Sequence, residues 1–198
     1  MEIRYFGWKS FRIKSGSAAV ITYPFSQKTG ISFPKTSAEV VISDKETDPK
    51  LMAKIFGKER KTPFLISGPG EYEISEIEVL GFVGGYWFKI DGIVMVFLNI
   101  VDKKIISKLA DDFQDIGILF FPSENADLVK EVLDKVSPSA MIPYCSSCID
   151  KNDLMSLTWA TKILDILDLE NTASSDALKI DKQNLSEETQ VHLLKPKI

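Results

Sequence analysis

Three acidic side chains alternate through Ser43-Asp44-Lys45-Glu46-Thr47-Asp48-Pro49. Oxygen ligands at such spacing suit a hard divalent ion, Mg²⁺, Mn²⁺ or Ca²⁺, with Asn99 and Asp102 as further donors. The run begins like a calcium-binding loop but lacks a Gly at the turn and a Glu at the end, so that match fails. The sequence favours a structural reading: a solvated helix N-terminus, where carboxylates meet the positive end of the helix dipole. A second constellation, Cys145-Ser146-Ser147-Cys148, has the spacing of redox motifs and of zinc half-sites. No second cysteine pair completes a zinc site, and no thioredoxin-like pattern surrounds it, so two buried or half-buried thiols are expected. His192 is the only histidine and alternates with Val191 and Leu193. It is expected to face solvent from a strand, without a partner for proton transfer. Ser43 and Ser67 have no nearby base, and no Gly-rich Lys-Ser/Thr phosphate loop is present.

These residues need elements to hold them. The first ninety-odd residues are rich in short strands: Glu2–Phe6, Phe11–Lys14, Ala18–Thr22 and Glu39–Ser43, then Phe64–Ser67, Glu71–Ile74, Ile77–Phe82, Tyr86–Ile90 and Ile93–Leu98. Turns at Ser15-Gly16, Pro69-Gly70, Gly84-Gly85 and Asp91-Gly92 separate them. Thr47 or Asp48 caps an expected helix from Pro49 to about Phe56, and Gly57 ends it. The second half alternates: helix Asp102–Asp111, strand Gly117–Phe121, helix Ala126–Val136, strand Ala140–Pro143, helix Trp159–Leu169 and a closing strand Thr189–Leu194. Unbroken apolar strands between helices imply a sheet covered by helices. Glu170–Asp176 reads as a loop.

The chain has 198 residues, 44 % hydrophobic and 26 % charged, with net charge −4. That balance opposes a nonspecific nucleic-acid binder, and the Lys54–Lys61 cluster is broken by Glu59. Met1–Tyr5 reads as a strand rather than a charged-then-apolar leader, and runs such as Ile93–Leu98 are too short to span a bilayer. With two neighbouring cysteines there is no disulfide framework, so a cytoplasmic setting is expected, without nucleic-acid or membrane partners.

Several stretches together resemble the metallo-β-lactamase superfamily, particularly its small single-domain hydrolase-like members. Gly7-Trp8-Lys9-Ser10-Phe11 and Ile21-Thr22-Tyr23-Pro24-Phe25 are similar to the family's first two loops, and Ser43–Pro49 to its main ligand motif. Ser67-Gly68-Pro69-Gly70-Glu71-Tyr72-Glu73 resembles a phrase of the small members. So do Leu178-Lys179-Ile180 and Leu185–Val191. The resemblance implies an α/β fold, the αββα sandwich of two mixed sheets flanked by helices, as one domain over 1–198.

It also implies where metal ligands would stand. The first-loop His becomes Trp8, and the Asp ending the second strand becomes Tyr23. In the main motif the two leading His become Asp44 and Glu46, Asp48 is kept, and the last His becomes Pro49. The further His after the Gly-rich strand has no counterpart in Gly81–Tyr86. The bridging Asp falls on Asn99 and the final His on Cys145. A two-zinc site needs neutral imidazoles and a bridging carboxylate to make hydroxide from bound water. Trp8 and Pro49 delete ligands, Asn99 removes the bridging charge, and carboxylates shift preference toward harder ions. Trp8 and Tyr23 are expected to fill the emptied space, although they could also stack on a ligand. The sequence therefore points to a pseudoenzyme with no catalytic residues and no cofactor, acting as a binding or scaffold subunit for a protein partner or a second copy of itself. The alternative is a divergent hydrolase holding one Zn²⁺, Mn²⁺ or Mg²⁺ on Asp44, Glu46, Asp48 and Cys145, helped by Asn99 and Asp102.

Overall fold

The computed structural model describes residues 1–26, 31–43, 48–58, 60–169 and 172–197. Asp44 and Glu46 lie outside the described residues. The first half holds β1 (Glu2–Gly7), β2 (Ser10–Ser15), β3 (Ala18–Thr22), β4 (Thr36–Ser37), β5 (Val40–Ile42), α1 (Pro49–Met52), β6 (Ile55–Phe56) and β7 (Phe64–Ile66). Next come β8 (Gly70–Ile74), β9 (Ile77–Phe82), β10 (Gly85–Ile90) and β11 (Ile93–Leu98). The second half adds α2 (Lys103–Asp112), β12 (Ile116–Pro122), α3 (Val129–Val136), β13 (Ala140–Tyr144), α4 (Lys151–Ser156) and α5 (Thr161–Ile166). Four short strands close it: β14 (Ser174–Ser175), β15 (Leu178–Lys179), β16 (Gln190–Val191) and β17 (Leu193–Leu194).

Among the described residues two large sheets form, a six-stranded one ordered β15-β1-β2-β3-β5-β7 and a seven-stranded one ordered β16-β13-β12-β11-β10-β9-β8. Both are mixed. β3, β5 and β7 run parallel, as do β11, β12 and β13, while the hairpins β1–β2 and β9–β10–β11 are antiparallel. Parallel neighbours need crossovers, which α2 and α3 supply.

Period-two alternation sorts each strand's side chains between two layers. Ile3, Tyr5, Phe11, Ile13 and Val20 of the first sheet meet Phe88, Met95, Phe97, Ile118 and Phe120 of the second in a shared buried core. The second sheet's outer residues, Val96, Leu98, Leu119, Phe121 and Met141, pack under Ile106 and Leu109 of α2, Val132 of α3 and Ile163 of α5. The first sheet's outer residues, Ala19, Ile21 and Val41, pack under Leu51 of α1 with Phe33 and Ile55. This is the expected αββα sandwich.

Several expected elements differ. The helix opened by Asp48 stops at Met52, because Ile55 and Phe56 pair instead in parallel with Thr36 and Ser37. The closing strand is split: Gln190 and Val191 extend the large sheet beside β13, whereas Leu193 and Leu194 pair with β14. His192, between them, donates its backbone N–H to the Met141 carbonyl and is half-buried, not solvent-facing. Burial lowers its imidazole pKa below the ordinary 6.5, since the charged form loses hydration. α4 was not anticipated. No helix among the described residues is long and apolar enough to cross a membrane.

Candidate functional site

The candidate positions collect where strand ends of both sheets meet: the β1–β2 turn, the end of β3, the end of β11 and the end of β13. Trp8 sits in the turn after Gly7, with φ of 104° at Gly7 and 51° at Trp8. Tyr23, just past β3, has φ of 39°. Left-handed backbone is costly for a bulky side chain, so these two residues are held by their surroundings.

Those surroundings are aromatic and polar together. The Trp8 ring packs edge-on against Phe25 at 5.0 Å, and Phe25 against Phe33 at 5.2 Å. The Trp8 indole Nε1–H donates to the Cys148 carbonyl at 2.7 Å, and the Tyr5 hydroxyl donates to the Trp8 carbonyl at 3.0 Å. Tyr23 is buried, lies 5.4 Å from Phe97, and its hydroxyl receives a hydrogen bond from Asn99 Nδ2. This bond ties the end of the first sheet to the end of the second. The Lys9 ammonium lies over the Tyr23 ring at 5.5 Å, a cation–π geometry. Behind them Tyr144 stacks on Phe97 at 4.9 Å and donates to the Leu98 carbonyl at 2.5 Å. Burial pushes the Tyr144 and Tyr5 hydroxyls up, so both stay protonated donors.

Asp48 is exposed and caps α1, its Oδ1 accepting from the Lys50 N–H at 2.9 Å, with Pro49 exposed at the first helical position. Asp102 likewise caps α2, accepting from the Ile105 N–H at 2.8 Å. Both carboxylates thus satisfy helix N–H groups. Cys145 and Cys148 are buried and joined in a disulfide, where two free thiols were expected. The bond removes the thiolate that a metal ligand requires. Among the described residues no group of three or more His, Cys, Asp or Glu side chains could hold a metal ion.

A dinuclear zinc pair does not fit the described donors. Trp8 has no lone pair to give, Tyr23 and Asn99 are neutral and bonded to each other, and the Lys9 charge opposes a nearby cation. The arrangement can offer neutral hydrogen bonds and aromatic surface; Asn99 Oδ1 is a buried acceptor with no partner among the described residues. Next to Trp8, through Phe25, a cleft of about 250 Å³ is lined by Phe25, Ser26, Phe33, Asp48, Lys50, Leu51 and Lys54. Sequence reasoning missed Lys9, Tyr5 and Glu124, whose Oε1 accepts from the Ser146 and Ser147 N–H groups at 2.7 Å each. Lys9 was visible as a neighbour of Trp8; the Tyr5–Cys145 and Glu124–Ser146 bonds cross 140 and 22 positions and leave no local signal.

No protein-family model and no curated protein matches the chain. Solved structures do. A Thermotoga maritima protein assigned to the zinc-dependent hydrolases of the metallo-β-lactamase superfamily superposes with a TM-score of 0.70 at 18 % identity, over 98 % of each chain. An isothiocyanate hydrolase from Delia radicum gut bacteria gives 0.58 at 9 % identity, over 91 % of this chain and 99 % of that one. The metallo-β-lactamase fold protein YhfI from Bacillus subtilis gives 0.54 at 8 % identity, over 98 % and 96 %. At such identities the likeness is one of fold.

Proposed function

We propose that this metallo-β-lactamase-fold chain is a pseudoenzyme, without a dinuclear zinc site and without hydrolysis, that acts as a binding or scaffold subunit. The observation that carries the reading is the Asn99–Tyr23 hydrogen bond beneath Lys9, which puts a neutral pair and a cation at the convergence of the two sheets. Metal-bound hydroxide needs anionic or imidazole donors at that convergence, and a dinuclear site needs a bridging carboxylate. A binding role draws support from the rim. Val83, Ile100 and Ile149 are exposed by 72, 55 and 88 %, and all three follow strand ends on this edge of the sandwich. Ile100 and Asn99 are held to the Val83 turn by N–H bonds to the Gly84 carbonyl. Solvent-facing apolar side chains along one edge of the sandwich suit a protein partner or a second copy of the chain.

The test is the metal content of protein purified without chelator, followed by thermal melts with Zn²⁺, Mn²⁺ and Mg²⁺. No stoichiometric metal and no rise in Tm is expected. Stoichiometric metal, or a Tm that climbs at micromolar ion through preferential binding to the folded state, overturns the reading and favours a hydrolase built on Asp44, Glu46, Asp48 and Cys145.

A further inference from the structure

The Cys145–Cys148 disulfide lies at the edge of the shared core, and the pseudoenzyme reading gives it no role. Its ring encloses only Ser146 and Ser147. A loop that short withdraws little freedom from the unfolded chain, so this bond contributes little to global stability compared with one closing a long loop. Breaking it is a local event. The Cys148 N–H donates to Cys145 Sγ at 2.9 Å, a contact that stabilises negative charge on that sulfur. Both cysteines are buried, and Cys148 is followed by the exposed Ile149, so exchange needs the short loop to open at that end. The hydrogen bond makes Cys145 the leaving group and puts the attack on Cys148 Sγ.

The loop is also wired into the site. Trp8 Nε1–H donates to the Cys148 carbonyl, and the Tyr5 hydroxyl that donates to the Trp8 carbonyl itself accepts from the Cys145 N–H at 3.4 Å. Each cysteine's backbone is therefore bonded, directly or through Tyr5, to the turn that carries Trp8. Glu124 holds the intervening Ser146 and Ser147 N–H groups.

We propose that the Cys145–Cys148 pair is a redox site that exchanges with a dithiol reductant, and that its state sets the position of Trp8. One thiolate of the dithiol attacks Cys148 Sγ, forming a mixed disulfide as the Cys145–Cys148 bond breaks. Cys145 departs as thiolate and takes up a proton. The second thiol of the reductant then attacks its own sulfur in the mixed disulfide and releases Cys148. The reductant leaves as a disulfide; two electrons and two protons pass to the cysteines. With the 5.8 Å Cα separation no longer fixed, the Cys148 carbonyl relaxes away from the Trp8 indole.

The experiment follows the indole N–H signals of ¹⁵N-labelled protein in buffers of reduced and oxidised dithiothreitol, with chelator present so that metal capture by freed thiols cannot contribute. The Trp8 signal is identified by its loss in Trp8→Phe. Expected are two cysteines that become alkylatable together, a reversible shift of the Trp8 signal with Trp87 unmoved, and an unchanged far-UV spectrum. A Cys145→Ser/Cys148→Ser variant is expected to ignore the buffer. The proposal fails if the pair resists reduction until the fold is lost, if two free thiols refuse to join under oxidant, if reduction leaves the Trp8 signal in place, or if the double-serine variant responds. These results are independent of metal affinity, which bears only on the pseudoenzyme reading.

Discussion

Tyr23 and Asn99 are the residues whose chemistry is most tightly bound to one another. The family resemblance sets each at a position where a metal ligand is expected, and together they form one hydrogen bond across 76 positions of chain. Tyr23→Phe leaves the Asn99 amide without that acceptor, beside an Oδ1 already without a partner. Stranding a buried donor costs about 1–3 kcal/mol, whereas removing both partners together costs less. Tyr23→Phe is therefore expected to lower unfolding free energy by about that amount in urea titrations, and adding Asn99→Leu to return part of it; an equal or larger loss in the double variant would show that the bond is not what holds the pair. His192 gives a second test at this scale. Its folded pKa lies below the ordinary 6.5, so the unfolded chain takes up a proton at a higher pH than the folded one. The contribution is complete above 6.5 and is lost as pH falls through 6.5 toward the lowered folded value. Wild-type stability should drop more than that of His192→Gln between about pH 7 and 5, the range in which histidine titrates; parallel profiles would place the imidazole in water. Neither feature could be read from sequence, because burial of His192 follows from the split of the closing strand, and the Tyr23–Asn99 bond from the docking of two sheets.

Elements were legible where their signals are local. The hairpins from β8 to β11 fall close to their expected limits, because alternation and Gly-bearing turns fix them without help from the rest of the chain. The αββα frame was legible through phrases such as Ser67–Glu73, which carry turns rather than chemistry. Where a short segment had to choose between its own pattern and a distant partner, the partner won: Ile55 and Phe56 leave the helical run to pair with Thr36 and Ser37. The disulfide was hidden for a related reason, since the same spacing serves thiols, metal ligands and a bond, and only the turn of the loop decides among them. Capping lies between these extremes. Asp102 was a possible ligand by position and is a helix cap by geometry. Asp102→Ala is expected to cost about 0.5–2 kcal/mol, the usual loss for an N-cap. Because the loss is structural, the same drop should appear in thermal melts with and without chelator; a drop seen only in the metal-loaded protein would return Asp102 to the ligand set.

At the scale of the whole molecule, the stretch after Thr172 joins what the two halves of the chain build separately. Leu178 and Lys179 add a strand to β1, Gln190 and Val191 add one to β13, and Lys197 N–H reaches the Tyr5 carbonyl at 2.8 Å. The Met1 ammonium donates to the Ile180 carbonyl at 2.8 Å, so the first residue is held by this stretch as well. Leu178, Leu193 and Leu194 are buried by it. Burying one leucine contributes about 1.5–3 kcal/mol, so three of them rival the 5–15 kcal/mol that separates a typical folded domain from its unfolded state. Removing the stretch also leaves one strand edge open in each sheet, and open edges template association between chains. A variant ending at Thr172 is expected to lose its cooperative thermal transition, to bind a hydrophobic dye and to aggregate at concentrations where the full chain is clear. A sharp melt within a few degrees of the full chain would mean that each sheet closes without it, and that the shared core between the sheets, with Phe11, Phe97 and Phe120 at its centre, holds the sandwich by itself.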